Sequence, residues 1–302
     1  MMKTGFVGIV GRPNVGKSTL LNCIIGEKIA ITSDKPQTTR NRIRGIFTKM
    51  LAADGSDGVQ IVFIDTPGIH KPRNKLGGFM TDAAKSTFNE VDALVFIVDD
   101  ELSAKTGDKY ILEMLASVKT QKILAINKID LLGPDKFRKI YEEYENLGLF
   151  SAIYGISAIN GKNVDKLTGA LEKLMCEGPM YFPEGMVTDH PERFVASEII
   201  REKTLMYLDE EVPHGIAVEI ESFSESPRFV KIGAVIYCEK KSHKGIIIGK
   251  DGKKLKGVGK SARLEIEALL GVKVFLELWV KVKESWRDSD FALSGFGYGK
   301  RQ

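Results

Sequence analysis

Residues 11–18 read GRPNVGKS, and a short apolar run at residues 6–10 precedes them directly. The octapeptide fits the pattern G-x-x-x-x-G-K-[ST] at every position, and a segment of helical period begins at Thr19. A glycine-rich loop between a strand and a helix is the setting in which this pattern binds phosphate. The stretch therefore predicts a nucleotide phosphate loop within an α/β domain.

The loop residues have separate expected roles. Gly11 and Gly16 let the backbone curl so that successive N–H groups point at phosphate, and the following helix adds its positive end. Lys17 is expected to meet the β and γ phosphates, and Ser18 to give its hydroxyl to Mg²⁺. The alternative is a glycine turn before an ordinary helix, and the motifs that follow downstream argue against it. The whole predicted loop is Gly11, Arg12, Pro13, Asn14, Val15, Gly16, Lys17 and Ser18.

Apolar runs of strand length alternate with segments of helical period, which predicts a mostly parallel sheet with helices between its strands. The runs lie at residues 5–10, 43–47, 60–64, 93–98, 122–126 and 152–157. A turn at residues 54–58 joins the second and third runs and predicts one antiparallel edge strand. The predicted domains are residues 1–178, a linker at 179–191 rich in glycine and proline, an α+β domain at 192–283, and a loosely held tail at 284–302.

Composition narrows the class of protein. The chain has 302 residues, 43% of them hydrophobic, which is enough for two domains with buried cores. No apolar run approaches the roughly 18 residues that span a bilayer, and no leader pattern is present, so we expect a cytoplasmic protein. The three cysteines are far apart and suggest neither a disulfide framework nor a zinc site.

Three further motifs each follow a predicted strand. Asp65-Thr66-Pro67-Gly68 places a carboxylate where it can hold the shell of a magnesium ion, and Gly68 can bring its N–H close to a γ phosphate. Asn127-Lys128-Ile129-Asp130 ends in a carboxylate that can accept from N1–H and the 2-amino group of guanine, a pair that adenine lacks. Ser157-Ala158 can offer a backbone N–H to the base oxygen. The predicted nucleotide is therefore GTP.

In this order the motifs resemble the G1, G3, G4 and G5 elements of the Ras-like GTPases. The resemblance implies a fourth element, G2, within PQTTR at residues 36–40. It favours Thr39 over Thr38 as a magnesium ligand, and a solvated loop without a ligand is the alternative. The predicted switch residues are Gln37, Thr38, Thr39, Arg40 and Asn41.

Two positions bear on hydrolysis. Many relatives carry a glutamine after the G3 glycine, but here Ile69 cannot orient a water, so we expect slow intrinsic hydrolysis. Relatives with an asparagine at the position of Asn14 use it to hold K⁺ beside the phosphates, which implies a K⁺ site here. A loop-stabilising role is the alternative for Asn14.

A second site is predicted from charge. Between Cys238 and Arg263 the chain has eight lysines and one arginine against two carboxylates, an excess that favours a polyanion partner. The same window holds I-x-G-x-x-G, which resembles the GXXG loop of a type II KH domain and implies a clamp on single-stranded RNA. Core packing is an equal alternative for two of the three isoleucines. The predicted RNA-binding residues are Ile246, Ile247, Ile248, Gly249, Lys250, Asp251, Gly252, Lys253 and Lys254.

A Ras-like domain followed by a type II KH domain resembles the bacterial Era family of GTPases, and residues 193–203 resemble that family's helix at the entry to the KH domain. The resemblance implies a monomeric, GTP-dependent assembly factor for the small (30S) ribosomal subunit that binds the 3′ end of 16S rRNA. It also implies loose, peripheral association with the cytoplasmic face of the inner membrane. An RNA-binding assembly chaperone with a structural nucleotide and a tRNA-modification GTPase are the alternatives.

Overall fold

The computed structural model of the chain describes residues 1–35, 37–52, 57–99 and 106–299, and these form two compact units. The first unit comprises residues 1–30, 39–72 and 80–189. The second comprises residues 31–38, 73–79 and 190–302. The domain limits predicted from the sequence were contiguous, whereas two short segments from the first half of the chain belong by their contacts to the second unit.

The elements of the first half are close to those predicted from periodicity. The strands are β1 (Met2–Val10), β2 (Ile43–Met50), β3 (Gly58–Asp65), β4 (Ala93–Val98), β5 (Gln121–Ile126), β6 (Ala152–Gly155) and β7 (Cys176–Glu177). The helices are α1 (Lys17–Ile25), α2 (Lys75–Thr87), α3 (Thr106–Ala116), α4 (Pro134–Glu145) and α5 (Val164–Leu174).

The strand order is β2-β3-β1-β4-β5-β6, with the two-residue β7 paired to β1. β3, β1, β4, β5 and β6 run parallel, and β2 is antiparallel to β3 at the edge. Every residue of β3 and β4 is buried because helices cover both faces of a parallel sheet. The predicted α/β class with one antiparallel edge strand is confirmed, while the turn predicted at residues 54–58 lies largely outside the described residues.

The second unit has the predicted order of helix, two strands, two helices and a strand. Its elements are α6 (Glu192–Met206), β8 (Ala217–Glu225), β9 (Phe229–Cys238), α7 (Lys241–Ile248), α8 (Lys253–Leu270), β10 (Lys273–Val282) and α9 (Asp290–Gly295). The sheet order is β10-β9-β8, with β10 parallel and β8 antiparallel to β9. The apolar stripe of α8, which includes Val258, Ala262 and Ile266, packs into the core of this unit.

The prediction of a loosely held tail is wrong for residues 284–299. Trp286 is fully buried and donates from Nε1 to the carbonyl of Gly215 at 2.9 Å. Tyr298 is also buried, and its ring centroid lies 6.0 Å from that of Trp286. Two aromatic side chains inside the unit outweigh the flexibility that the intervening glycines give to the chain. In the described part of the chain, every helix is too short or too polar to cross a membrane.

Candidate functional site

The four nucleotide motifs that follow strands lie at the same edge of the sheet of the first unit. Ile9 of β1 is in register with Asp65 of β3, and Ile126 of β5 is in register with Val98 of β4 and Gly155 of β6. The carboxyl ends of these parallel strands therefore coincide, and the loops that follow them converge there. This edge is where an open α/β sheet binds its ligands.

The phosphate loop leads directly into α1. Gly16 has φ of 103°, a left-handed conformation that glycine adopts without strain. Lys17 is buried, and its Nζ donates to the carbonyls of Gly11 at 3.2 Å and Arg12 at 2.7 Å. Burial lowers the pKa of Lys17 to about 8, and the nearby Asp65 carboxylate opposes this change. The ammonium therefore lies inside the loop, among the atoms that would surround a phosphate.

The three predicted magnesium residues meet at one point. Ser18 Oγ donates to Asp65 Oδ2 at 2.6 Å and lies 2.8 Å from Thr39 Oγ1, which is 3.4 Å from the same carboxylate oxygen. Thr38 instead donates from Oγ1 to the carbonyl of Lys35 at 2.6 Å. The arrangement supports Thr39, and not its neighbour, as the ligand.

The chemistry of this cluster fits a hard cation. Asp65 Oδ1 is buried and has no hydrogen-bond partner in the part of the chain that the structure describes. Burial raises the pKa of Asp65 to about 6, while Lys17 and the two hydroxyl groups oppose the rise. One carboxylate and two hydroxyl oxygens suit Mg²⁺, which prefers oxygen ligands and keeps several waters. Mg²⁺ bound there would neutralise phosphate charge.

The remaining predicted switch residues flank Thr39 in the sequence. Gln37 has a left-handed φ of 61°, Arg40 is buried with 1% of its surface exposed, and Asn41 is half-buried. Pro36, part of the predicted motif, lies outside the described residues. Whether these residues move with the nucleotide stays a prediction.

The guanine motif and the phosphate loop are held together by Asn127. Its Nδ2 donates to the Val15 carbonyl at 2.8 Å, and its Oδ1 accepts from the Ala158 N–H at 2.9 Å. The N–H of Ile129 donates to the carbonyl of Ile156 at 3.2 Å. Asp130 is exposed at the tip of this motif, and Ser157 is buried. The motif residues predicted to bind the base thus lie together, with the carboxylate of Asp130 accessible.

The G3 loop at residues 65–69 is buried throughout. Thr66 donates from Oγ1 to the carbonyl of Ile9 at 2.8 Å, and Ile69 donates from its N–H to the carbonyl of Gly11 at 3.1 Å. Pro67 and Gly68 lie between them beside Pro13, which a Cβ on Gly68 would approach to 2.7 Å. Ile69 has a fully buried apolar side chain, so the residue after the G3 glycine offers no group that could orient a water.

Sequence reasoning missed the partners of Arg12. Its guanidinium contacts Asp99, which directly follows β4, and Asp108 in the first turn of α3. Neither aspartate belongs to a motif, although the position of Asp99 after a buried strand could have indicated it. Both carboxylates lie at the carboxyl edge of the sheet with the other site residues.

The basic loop of the second unit has the conformation that its glycines predict. Gly249 and Gly252 both have φ of 72°, and Asp251 between them has φ of 55°. A short turn at residues 250–252 joins α7 to α8, and Lys250, Lys253 and Lys254 are exposed around it. A Cβ placed on Gly252 would meet no atom within 4 Å, so the main chain is open to an approaching strand.

Ile247 was predicted to bind RNA, and this is wrong. Its side chain is 1% exposed and packs in the core of the second unit, so no ligand can reach it. Ile248 is half-buried against the same core, whereas Ile246 is 42% exposed. Because α7 turns by about 100° per residue, three consecutive isoleucines cannot share one face.

An apolar groove begins beside Gly252, and its lining residues were not predicted from the sequence. It runs between α8 and the edge strand β10, and lysines and one arginine of α8 border it. Its lining includes Leu255, Gly259, Arg263, Leu276 and Leu278. The spacing of the α8 residues by four could have indicated this face.

Comparison with known proteins identifies both units. A model described as "50S ribosome-binding GTPase" matches residues 6–128, and a KH domain model matches residues 211–287. "GTPase Era" of Alkaliphilus oremlandii (strain OhILAs) is 55% identical over 298 residues, which cover 98% of this chain and 99% of the relative. The chain belongs to the Era family of GTPases. "GTPase Era" of Clostridioides difficile (strain 630) is 54% identical over 304 residues and is covered, like this chain, in full.

Two solved Era structures have the same fold. The crystal structure of an Era in complex with MgGDPNP and nucleotides 1506–1542 of 16S ribosomal RNA has a TM-score of 0.93, with 41% identity over 99% of this chain and 100% of that one. The crystal structure of a point variant of Aquifex aeolicus Era bound to GDP.AlF4⁻ has a TM-score of 0.92, with 40% identity over the same shares. As a member of the Era family this chain is a GTPase, which confirms the predicted family and enzyme class.

Proposed function

We propose that this protein is a GTP-controlled RNA-binding switch, that it binds 16S rRNA near its 3′ end, and that it assists assembly of the 30S subunit. The solved Era that contains nucleotides 1506–1542 of 16S rRNA covers 99% of this chain, which supports the RNA part of the proposal. The loop at residues 249–252 and the adjoining groove supply a basic clamp and an apolar surface for unstacked bases. With the exception of Ile247, the residue-by-residue site assignments given above are part of this proposal.

The proposed switch rests on one observation, the hydrogen bonds between α6 and the segment that precedes Thr39. Thr32 donates from its N–H to Glu202 Oε1 at 2.8 Å, and Arg201 donates to the carbonyl of Thr38. Both side chains belong to α6 and are fully buried, so they fix residues 31–38 to the first helix of the KH unit. The next residue in the chain is Thr39, whose hydroxyl contacts Ser18. A nucleotide that repositions Thr39 therefore acts on a segment anchored to α6.

The test compares RNA affinity in two nucleotide states. We expect a fluorescent single-stranded RNA with the 3′-terminal sequence of 16S rRNA to bind at least about fivefold more tightly with a non-hydrolysable GTP analogue than with GDP. Equal dissociation constants contradict a switch, because a ligand shifts only states that it discriminates. They would favour the alternative in which nucleotide is structural.

Two variants test whether the contact between Arg201 and Thr38 produces the difference in RNA affinity between the two nucleotide states. Arg201→Leu removes the donor to the Thr38 carbonyl and is expected to bring the affinity ratio close to one. Lys35→Ala is the matched control, because Lys35 lies in the same segment but pairs with Asp209 at an exposed position. The control is expected to keep the wild-type ratio, and loss of the ratio in both variants would show that the anchor at Arg201 is not specific.

We also infer that Mg²⁺ and K⁺ act with GTP, K⁺ at Asn14. Asn14 is exposed on the phosphate loop with φ of 64°, and Ile69 leaves the G3 loop without a hydrogen-bonding side chain at the position after its glycine. We expect GTP hydrolysis to be about tenfold faster in KCl than in NaCl at matched ionic strength, and Asn14→Ala to remove the difference. Equal rates in the two salts would show that Asn14 has the loop-stabilising role.

The proposals on oligomeric state, localisation and membrane association rest on the family resemblance alone. We propose a monomeric cytoplasmic protein with peripheral association at the cytoplasmic face of the inner membrane. Basic charge around residues 240–263 supports attraction to an anionic surface, but the same charge serves RNA equally well. The tRNA-modification alternative is not favoured, since the KH model matches the second unit.

A further inference from the structure

Four charged side chains alternate in sign beside the phosphate loop. Arg12 donates from Nε to Asp108 Oδ1 at 2.8 Å and from Nη2 to Asp99 Oδ1 at 2.9 Å. Lys128 of the guanine motif donates from Nζ to Asp99 Oδ2 at 3.0 Å. The order is thus Asp108, Arg12, Asp99, Lys128, with each charge next to an opposite one.

The four charged side chains are largely buried. The Asp108 side chain is fully buried, Asp99 and Arg12 are 13% and 18% exposed, and Lys128 is 35% exposed. Burial raises the pKa of Asp108 to about 6, and Arg12 is the main group opposing that rise. A buried carboxylate without its partner is costly, so each member holds the next in place.

The backbone contacts connect this network with the site. The Arg12 carbonyl accepts from Lys17 Nζ at 2.7 Å, and the Asn14 carbonyl accepts from Lys128 Nζ at 3.0 Å. Asp99 contacts both Arg12 and Lys128 and so lies between the phosphate loop and the guanine motif. The side chain of Arg12 thereby fixes the segment that carries the phosphate-binding amides.

The first turn of α3 accommodates the stem of Arg12. A Cβ built on Gly107 would lie 2.6 Å from Arg12 Cδ, well inside van der Waals contact. Because Gly107 has no side chain, the stem of Arg12 can pass beside it and the guanidinium can reach both carboxylates.

We propose that Arg12 is a positioning residue for GTP and GDP, which acts by locking the phosphate loop onto Asp99 and Asp108 and, through Asp99, onto the guanine motif. The inference rests on the nucleotide-site assignments made above. Arg12 acts through the backbone of its loop and through Lys17, and it has no assigned contact with the reacting atoms.

The test is a double-mutant cycle in the full chain, with fluorescent GDP as the probe. Arg12→Gln and Asp108→Asn are each expected to weaken GDP binding by about tenfold to a hundredfold, because each releases the phosphate loop from the position that is preorganised for phosphate. The double variant is expected to bind no worse than Arg12→Gln, because Asp108 acts through Arg12. Losses that multiply in the double variant would overturn the proposal.

Urea unfolding separates positioning from a general loss of stability. Asp108→Asn removes the cost of burying a carboxylate together with its ion pair to Arg12, and these two effects oppose each other, so its unfolding midpoint is expected to stay close to that of the wild type while its GDP affinity falls. A midpoint that falls in step with affinity would overturn the positioning role. Arg42→Gln, which breaks an exposed pair with Glu90, is the control and should bind GDP within about twofold of the wild type.

The test of Arg12 and the test of the RNA switch can fail independently of each other. Unchanged GDP affinity in Arg12→Gln would overturn the positioning role and leave the switch proposal intact. Equal RNA affinities of the wild type with GDP and with the GTP analogue would overturn only the switch.

Discussion

Asp130→Asn is expected to weaken GTP binding by about 10⁴-fold and to create a preference for xanthosine triphosphate. A carboxylate at Asp130 can accept from both N1–H and the 2-amino group of guanine. An asparagine amide accepts one of these bonds and turns its own donor towards the other, which leaves two donors facing each other. Xanthine has a carbonyl at position 2, so the asparagine donor recovers a partner there.

The structure makes this variant informative because Asp130 is exposed and its motif is held by backbone contacts that the substitution leaves alone. Ile129 donates from its N–H to the Ile156 carbonyl, and Asn127 spans Val15 and Ala158. Stability should therefore be unchanged, and affinities for fluorescent GDP and XDP are the measurements. Asp135→Asn, an exposed aspartate in the first turn of α4, is the control and should leave both affinities unaltered. Unchanged GDP affinity in Asp130→Asn would remove Asp130 from the base-binding site.

The convergence of the nucleotide motifs could be predicted from the sequence because each of these motifs follows a strand whose apolar run is visible. Parallel strands end at one edge, so GRPNVGKS, Asp65, Asn127 and Ser157 had to converge once the α/β pattern was recognised. The network around Arg12 could not be predicted in this way. Asp99 and Asp108 become its partners only through the placement of β4 and α3, which no local pattern specifies.

In the second unit, too, local conformation could be predicted from the sequence, whereas tertiary packing could not. The glycines at 249 and 252 predict their turn because positive φ is a local property. Which isoleucine of α7 is buried depends on how that helix packs, and Ile247 rather than Ile246 enters the core. The tail was misjudged for a similar reason, since the hydrogen bond from Trp286 to Gly215 joins residues 71 positions apart.

Reversing the charge of Lys250 and Lys253 together is expected to weaken RNA binding by at least about a hundredfold near 0.1 M salt. Both ammonium groups are exposed beside Gly252, where the open main chain would admit a sugar-phosphate backbone. For single strands each neutralised phosphate contributes about −0.7 to the slope of log affinity against log salt, so the double Glu variant should flatten that slope by about 1.4. The measurement is RNA affinity from about 50 to about 300 mM KCl, a range over which phosphate contacts lose most of their contribution.

The control for this experiment changes the net charge by the same amount elsewhere. Lys139→Glu with Lys166→Glu alters two exposed lysines of the GTPase unit, which are not near the basic loop in sequence and belong to α4 and α5. Long-range repulsion alone is screened beyond about 10 Å at 0.1 M salt, so the control should lose little RNA affinity and keep the wild-type salt slope. Equal losses of RNA affinity in the two double variants would mean that RNA binding depends on the net charge of the protein and not on a clamp at residues 249–252. Because neither lysine of that loop lies in the first unit, GDP affinity should be unchanged in the Lys250/Lys253 variant, which separates loss of the clamp from loss of the nucleotide site.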